Sequence, residues 1–167
     1  MKKIFYLFFS LLLGFSAGVQ TGECSQNPKS IDPCSLVAAE KLSAIFPTLQ
    51  KAEKQSVGKE TVCNYLDGKG LPALIISVSK STTTVRKTLS MLGPGYVIEE
   101  IDGLGEEAAI AIQQANQKFG LKEGIAALHV KKGNRSLNFS FFRINLIPTD
   151  EEFEDIRMLA AEIIEKL

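Results

Sequence analysis

The sequence predicts an α+β fold, an antiparallel sheet packed by helices in the order α-β-β-α-β-β-β-β-α. Three observations carry that expectation. Residues 125–144 read as a hairpin, because apolar, β-favouring runs flank a two-residue Gly133-Asn134 loop. Residues 149–167 read as an amphipathic helix, with Phe153, Ile156, Ala160, Ile163, Ile164 and Leu167 on one face and Met158 the exception opposite. Between the helical stretches, strands follow one another directly. That pattern argues for antiparallel pairing and against a doubly wound parallel sheet.

The remaining elements follow in order. Asp32 at an N-cap with Pro33 at the first helical position opens a helix that Pro47 closes at Phe46. Residues 51–60 are charged and weakly patterned, and no element is assigned there. Residues 61–66 and 71–78 form a hairpin across Asp67-Gly68-Lys69-Gly70, and the apolar run Ala73-Leu74-Ile75-Ile76 predicts a central strand covered on both faces. Hydroxyls over 81–84 cap a short helix that ends at Gly93-Pro94-Gly95. Residues 96–101 alternate as an edge or half-exposed strand, 108–112 suit strand or helix with strand preferred, and 113–124 read as an extended polar loop. Thr149 and Glu152 have capping-box spacing at the start of the last helix. No internal repeat or second domain is evident over 31–167.

The N-terminus sets the expected compartment. Lys2 and Lys3 precede an apolar run over 4–15, and small residues follow at Ser16, Ala17 and Gly18. Basic, then apolar, then small is the order of a cleaved signal peptide, and the run is too short for a comfortable membrane span. Residues 1–18 are therefore expected to be a leader and 19–30 a flexible tether. Cys24 offers an alternative, lipidation after cleavage just before it, although Glu23 fits that motif poorly.

Three cysteines, Cys24, Cys34 and Cys63, are an odd number for an oxidising compartment. Lipidated Cys24 would leave Cys34 and Cys63 as a pair; otherwise Cys24 is free or bonds another chain. Without residues 1–18 the chain holds 17 basic and 19 acidic residues, scattered, with no basic stripe for nucleic acid.

Each candidate chemistry has a plainer reading beside it. Gly103-x-Gly105-x-x-Ala108 matches the letters of a dinucleotide fingerprint, yet Glu106 and Glu107 would repel a pyrophosphate and no βαβ unit surrounds it. A tight turn explains it better. His129, the one histidine, should point away from Leu128 and Val130 as a partly exposed sheet residue; a general-base role lacks a visible partner. It is also far in sequence from every cysteine, which leaves a metal site short of ligands. Asp150, Glu151, Glu152, Glu154 and Asp155 suit the positive end of a helix dipole, not a calcium loop. Leu137, Phe139 and Phe141 on one strand face, with Phe142 and Ile144 on the other, read as core before ligand pocket.

Asp32-Pro33-Cys34-Ser35-Leu36-Val37, Cys63-Asn64-Tyr65 and Gly103-Leu104-Gly105-Glu106-Glu107-Ala108 resemble three landmarks of one family, in the same order. It is a domain-of-unknown-function family of secreted envelope lipoproteins, best known from actinobacteria. Its patterns are Asp-Pro-Cys-Ser-Leu-Leu, Cys-x-Trp or Cys-x-Tyr, and Gly-Leu-Gly-Asp/Glu-x-Ala. Val37 and the Cys24 context depart from them. The resemblance implies an extracytoplasmic α+β sandwich, a Cys34–Cys63 disulfide and no established enzymatic activity. The expectation is thus a periplasmic or extracellular envelope module that binds a small molecule, lipid or envelope protein. It carries no catalytic residue, metal or cofactor, and meets the membrane only through a lipid on Cys24. The alternatives are a secreted hydrolase using His129 and a purely structural envelope lipoprotein.

Overall fold

The computed structural model describes residues 31–58 and 60–167, and those residues build an α+β fold. A 3-10 turn, Pro33–Ser35, and α1, Ala39–Ile45, precede a meander of β1 (Leu49–Val57), β2 (Glu60–Asp67) and β3 (Pro72–Lys80). Next come α2 (Val85–Ser90), β4 (Tyr96–Glu100), β5 (Glu107–Gln113) and a second 3-10 turn (Gln117–Phe119). The chain closes with β6 (Gly124–Lys132), β7 (Arg135–Phe141) and α3 (Glu151–Glu165). The strands form one seven-stranded sheet in the order β1-β2-β3-β7-β6-β5-β4. Every adjacent pair is antiparallel. The β3–β7 ladder joins the two meanders, so the sheet depends on pairing between segments far apart in sequence.

Alternation along the strands sorts side chains onto two faces. Cys63 and Tyr65 of β2, Leu74 and Ile76 of β3, Leu128 and Val130 of β6, and Leu137 and Phe139 of β7 share one face. They pack into the main core with Leu42 of α1 and Phe153, Ile156 and Ile163 of α3. On the other face α2 sets Val85 and Leu89 onto Ala109, Ala111 and Ala127. Alanines let a helix of six residues approach the sheet closely. Beyond α2, this second face carries Ile75, Ser77 and Ser79 of β3 with Asn138 and Ser140 of β7, all half-buried.

Cys34 and Cys63 are bonded, with Cα atoms 5.0 Å apart and a sequence separation of 29. In the chain-entropy picture such a bridge is worth about 3.5 kcal/mol. Two further contacts fix the same strap. Asp32 caps the turn by accepting from the Cys34 N–H at 3.1 Å and pairs with Lys54 of β1 at 2.7 Å. The Tyr65 hydroxyl donates to the Val37 carbonyl at 2.9 Å, and burial pushes its pKa up to about 12.

Several expected elements differ in detail. Residues 51–60, left unassigned by pattern, supply most of edge strand β1, whose side chains beyond Leu49 are nearly all exposed. The helix expected over 32–46 breaks into the 3-10 turn and α1, because the disulfide and the Asp32 cap fix the first turn separately. β3 is central, but its second face is only half-covered among the described residues. The loop over 113–124 contains the second 3-10 turn and an Asn116–Leu121 bridge. At α3 the N-cap is Asp150, not Thr149, and its carboxylate accepts from Ile147 N–H at 2.9 Å in place of a capping box. Ile31–Leu167 forms one compact unit. The expected leader at 1–18, the tether at 19–30 and Cys24 lie outside the described residues. No described helix is long and apolar enough to cross a membrane.

Candidate functional site

The expected site residues are scattered by the fold, and most are used for structure. His129 lies in the second face of the sheet between Ala109 of β5 and Asn138 of β7. It points away from Leu128 and Val130, as alternation requires, but it is 6% exposed and not the partly exposed residue expected. The neighbourhood of α2 and the crowded centre of the sheet account for that. Its Nε2 has no hydrogen-bond partner among the described residues. Burial lowers the imidazole pKa below the usual 6.5, opposed by Asn138 and by the Glu107 charge.

This burial has a pH signature. A neutral ring is favoured when folded, so the unfolded chain binds a proton at His129 at higher pH than the folded chain does. The associated stability is complete above about pH 7. It declines as pH falls through 6.5 towards the lowered folded value. Lys131, Glu107, and the Arg86–Glu100 pair on α2 and β4 are among the charged groups on this face. Carboxylates with lowered pKa values, Glu107 and Glu162 among them, lose their contribution only below their usual 4.5. The thermal midpoint should therefore fall between pH 7 and about pH 5, and less so in His129→Gln. Parallel curves for the two proteins would remove His129 as the cause.

The Gly103-to-Ala108 segment is a tight bend that feeds β5, with no phosphate-binding helix after it. Leu104 is buried in the main core. Gly105 has φ +64°, and a Cβ there would lie 2.7 Å from the Lys131 carbonyl oxygen. That same oxygen accepts the Glu106 N–H at 2.8 Å. Glu106 reaches the β6–β7 turn, accepting from Gly133 N–H at 2.9 Å. Glu107 accepts from Val85 N–H at 2.9 Å, at the start of α2, and pairs with Lys131 at 3.1 Å. The Val85 N–H first, then Lys131, holds the Glu107 carboxyl below its ordinary range. The two glutamates that argued against a nucleotide thus tie three elements together.

Leu137, Phe139 and Phe141 are core, whereas Phe142 is exposed, and Ile144 is half-buried against the core. The acidic first turn of α3 remains largely solvated. Among the described residues, no three His, Cys, Asp or Glu side chains are grouped to hold a metal ion.

Compared with family models, curated proteins and solved structures, the chain matches none. Its surface relief is therefore the remaining guide. Two depressions meet at Phe142 and Arg143. One, of about 270 Å³, lies between Gly120-Leu121-Lys122 and residues 142–145. The other is bordered by Thr48, Gln50, Asp67 and Lys69. Arg143 donates to Asp67 at 2.8 Å and forms the wall between them. The Leu71 N–H first, with Lys69 N–H and Arg143, keeps the Asp67 carboxyl below its usual range. Of this region the sequence pointed only to Phe141, Phe142 and Ile144, because the other residues come from separate turns. The visible signal was an aromatic residue beside a cation, Phe142 and Arg143.

Proposed function

We propose that the protein is an exported cell-envelope module that binds a partner or small ligand, positioned in the periplasm or outside the cell. The Cys34–Cys63 disulfide carries this reading, since such bonds persist in oxidising compartments. The basic, apolar and small residues at the N-terminus support it, as does the resemblance to envelope lipoproteins. The depressions at Phe142 and Arg143 offer a place for binding. A lipid on Cys24 would anchor the module.

Fractionation of bacteria expressing the full chain, followed by intact-mass analysis, tests the reading. The expected product lacks the leader, lies in the periplasmic or envelope fraction, and has Cys34 and Cys63 blocked to thiol reagents. An acyl mass on Cys24, abolished in Cys24→Ser, distinguishes the anchored form from the freely secreted one. Full-length protein with free thiols in the cytoplasm would overturn the proposal.

The hydrolase alternative draws on one observation, the buried unpartnered Nε2 of His129. His129→Ala is expected to leave binding intact. Loss of an activity in that variant without loss of stability would favour the enzyme.

A further inference from the structure

The strand registers place Leu49, Asp67, Pro72, Phe141, Gly124, Gln113 and Tyr96 at one end of the sheet. Among the connections that emerge there are the β2–β3 turn, the α2–β4 link, the β5–β6 link and the segment after β7. Each carries exposed large apolar side chains. They are Leu71, then Met91 and Leu92, then Phe119 and Leu121, then Phe142. These are six of the nine exposed large apolar side chains among the described residues. The other three, Val57, Val97 and Met158, lie at the opposite end, on the far face of β4 and on α3. Phe119 and Phe142 are 69% and 63% exposed, while Phe46, Phe139, Phe141 and Phe153 are buried. Isolated exposed apolar residues are ordinary; a concentration on the tips of one end is not.

Cations stand among these tips. Lys69, Lys118 and Lys122 occupy the same connections, with the exposed Glu123 next to Lys122, and Lys118 Nζ lies 5.7 Å from the Phe119 ring centre. Arg143 is paired with Asp67. The acidic first turn of α3 is at this end as well, but α3 packs on the opposite face of the sheet from α2.

We propose that this end of the domain docks on the surface of an anionic phospholipid bilayer. Phe119 and Phe142 enter the headgroup boundary, and Lys69, Lys118 and Lys122 face the lipid charge. Apolar tips on separate connections, with cations between them, suit a fluid surface that needs no matched shape. A protein interface would call for a close-packed core shared by the tips. The contact is made by the folded domain and is distinct from any lipid on Cys24.

The chain has no tryptophan, so Phe119→Trp and Phe142→Trp each supply a single reporter. Both are placed in protein purified from cells expressing the full chain. Vesicles of phosphatidylglycerol and phosphatidylethanolamine should shift the emission of both reporters to the blue. High salt should reverse the shift, and phosphatidylcholine vesicles should produce little. Met158→Trp, on the exposed side of α3, should not respond. Adding Lys118→Glu and Lys122→Glu should weaken vesicle affinity on the order of tenfold. The proposal is overturned if neither reporter shifts, if Met158→Trp shifts equally, or if phosphatidylcholine works as well. It is also overturned if the reporters answer to envelope proteins but not to vesicles, which would mean a protein partner. A cytoplasmic protein whose reporters still shift would overturn export and leave bilayer docking standing.

Discussion

Ile163→Asp is expected to abolish cooperative folding. Ile163 is 2% exposed within α3 and packs into the main core with Phe153, Ile156, Ala160 and Ile164. The substitution removes about 1.5–3 kcal/mol of apolar burial. It also places a carboxylate inside an apolar cluster, costing several kcal/mol more. That loss rivals the entire net stability of a small domain, roughly 5–15 kcal/mol. Met158→Asp on the exposed side of the same helix, at 55% exposure, should change stability by no more than about 0.5 kcal/mol. Thermal melts followed by circular dichroism compare the two, and deletion of residues 149–167 should resemble Ile163→Asp. If the Ile163→Asp or truncated protein melts cooperatively within a few degrees of the intact one, α3 is an interaction arm, and function would have to be sought on its apolar face.

Gly105→Ala should lower stability far more than Gly103→Ala. Both glycines have positive φ, +64° and +74°, so both substitutions incur a left-handed penalty of about 1–2 kcal/mol. Only at Gly105 does the new Cβ also meet backbone, 2.7 Å from the Lys131 carbonyl, with Val130 Cγ1 at 2.9 Å; Gly103 faces open space. The strand β6 cannot retreat without disturbing its ladders to β5 and β7. The clash brings the total at Gly105 to about 3 kcal/mol or more, a fall in thermal midpoint on the order of 10 °C. Urea titration of the two variants reads the difference directly. Equal losses would show that backbone conformation alone, and not close approach, explains the glycine at 105.

How much was legible in the residues varies with how local the cause is. The β6–β7 hairpin and α3 were readable because their information is contiguous: a Gly133-Asn134 turn between apolar runs, and one apolar helical face. The Asp32-Pro33 start was readable for the same reason, since the cap acts within two residues. Cysteine count and compartment narrowed the pairing without deciding it, and three-dimensional proximity completed that choice. β1 was not legible. An edge strand with exposed side chains has no buried face to impose alternation, and it exists through its hydrogen bonds to β2.

The candidate site follows the same division. The sequence by itself determined that Gly103 to Ala108 is a bend and that the His129 side chain opposes Leu128 and Val130. Tertiary structure alone decided that His129 is buried, that Glu107 caps a helix 22 residues away in sequence, and that Phe119 and Phe142 share one end of the sheet. These outcomes depend on which distant strands pair, and in which register. A local pattern specifies the face on which a side chain lies, but not what the rest of the chain brings against it.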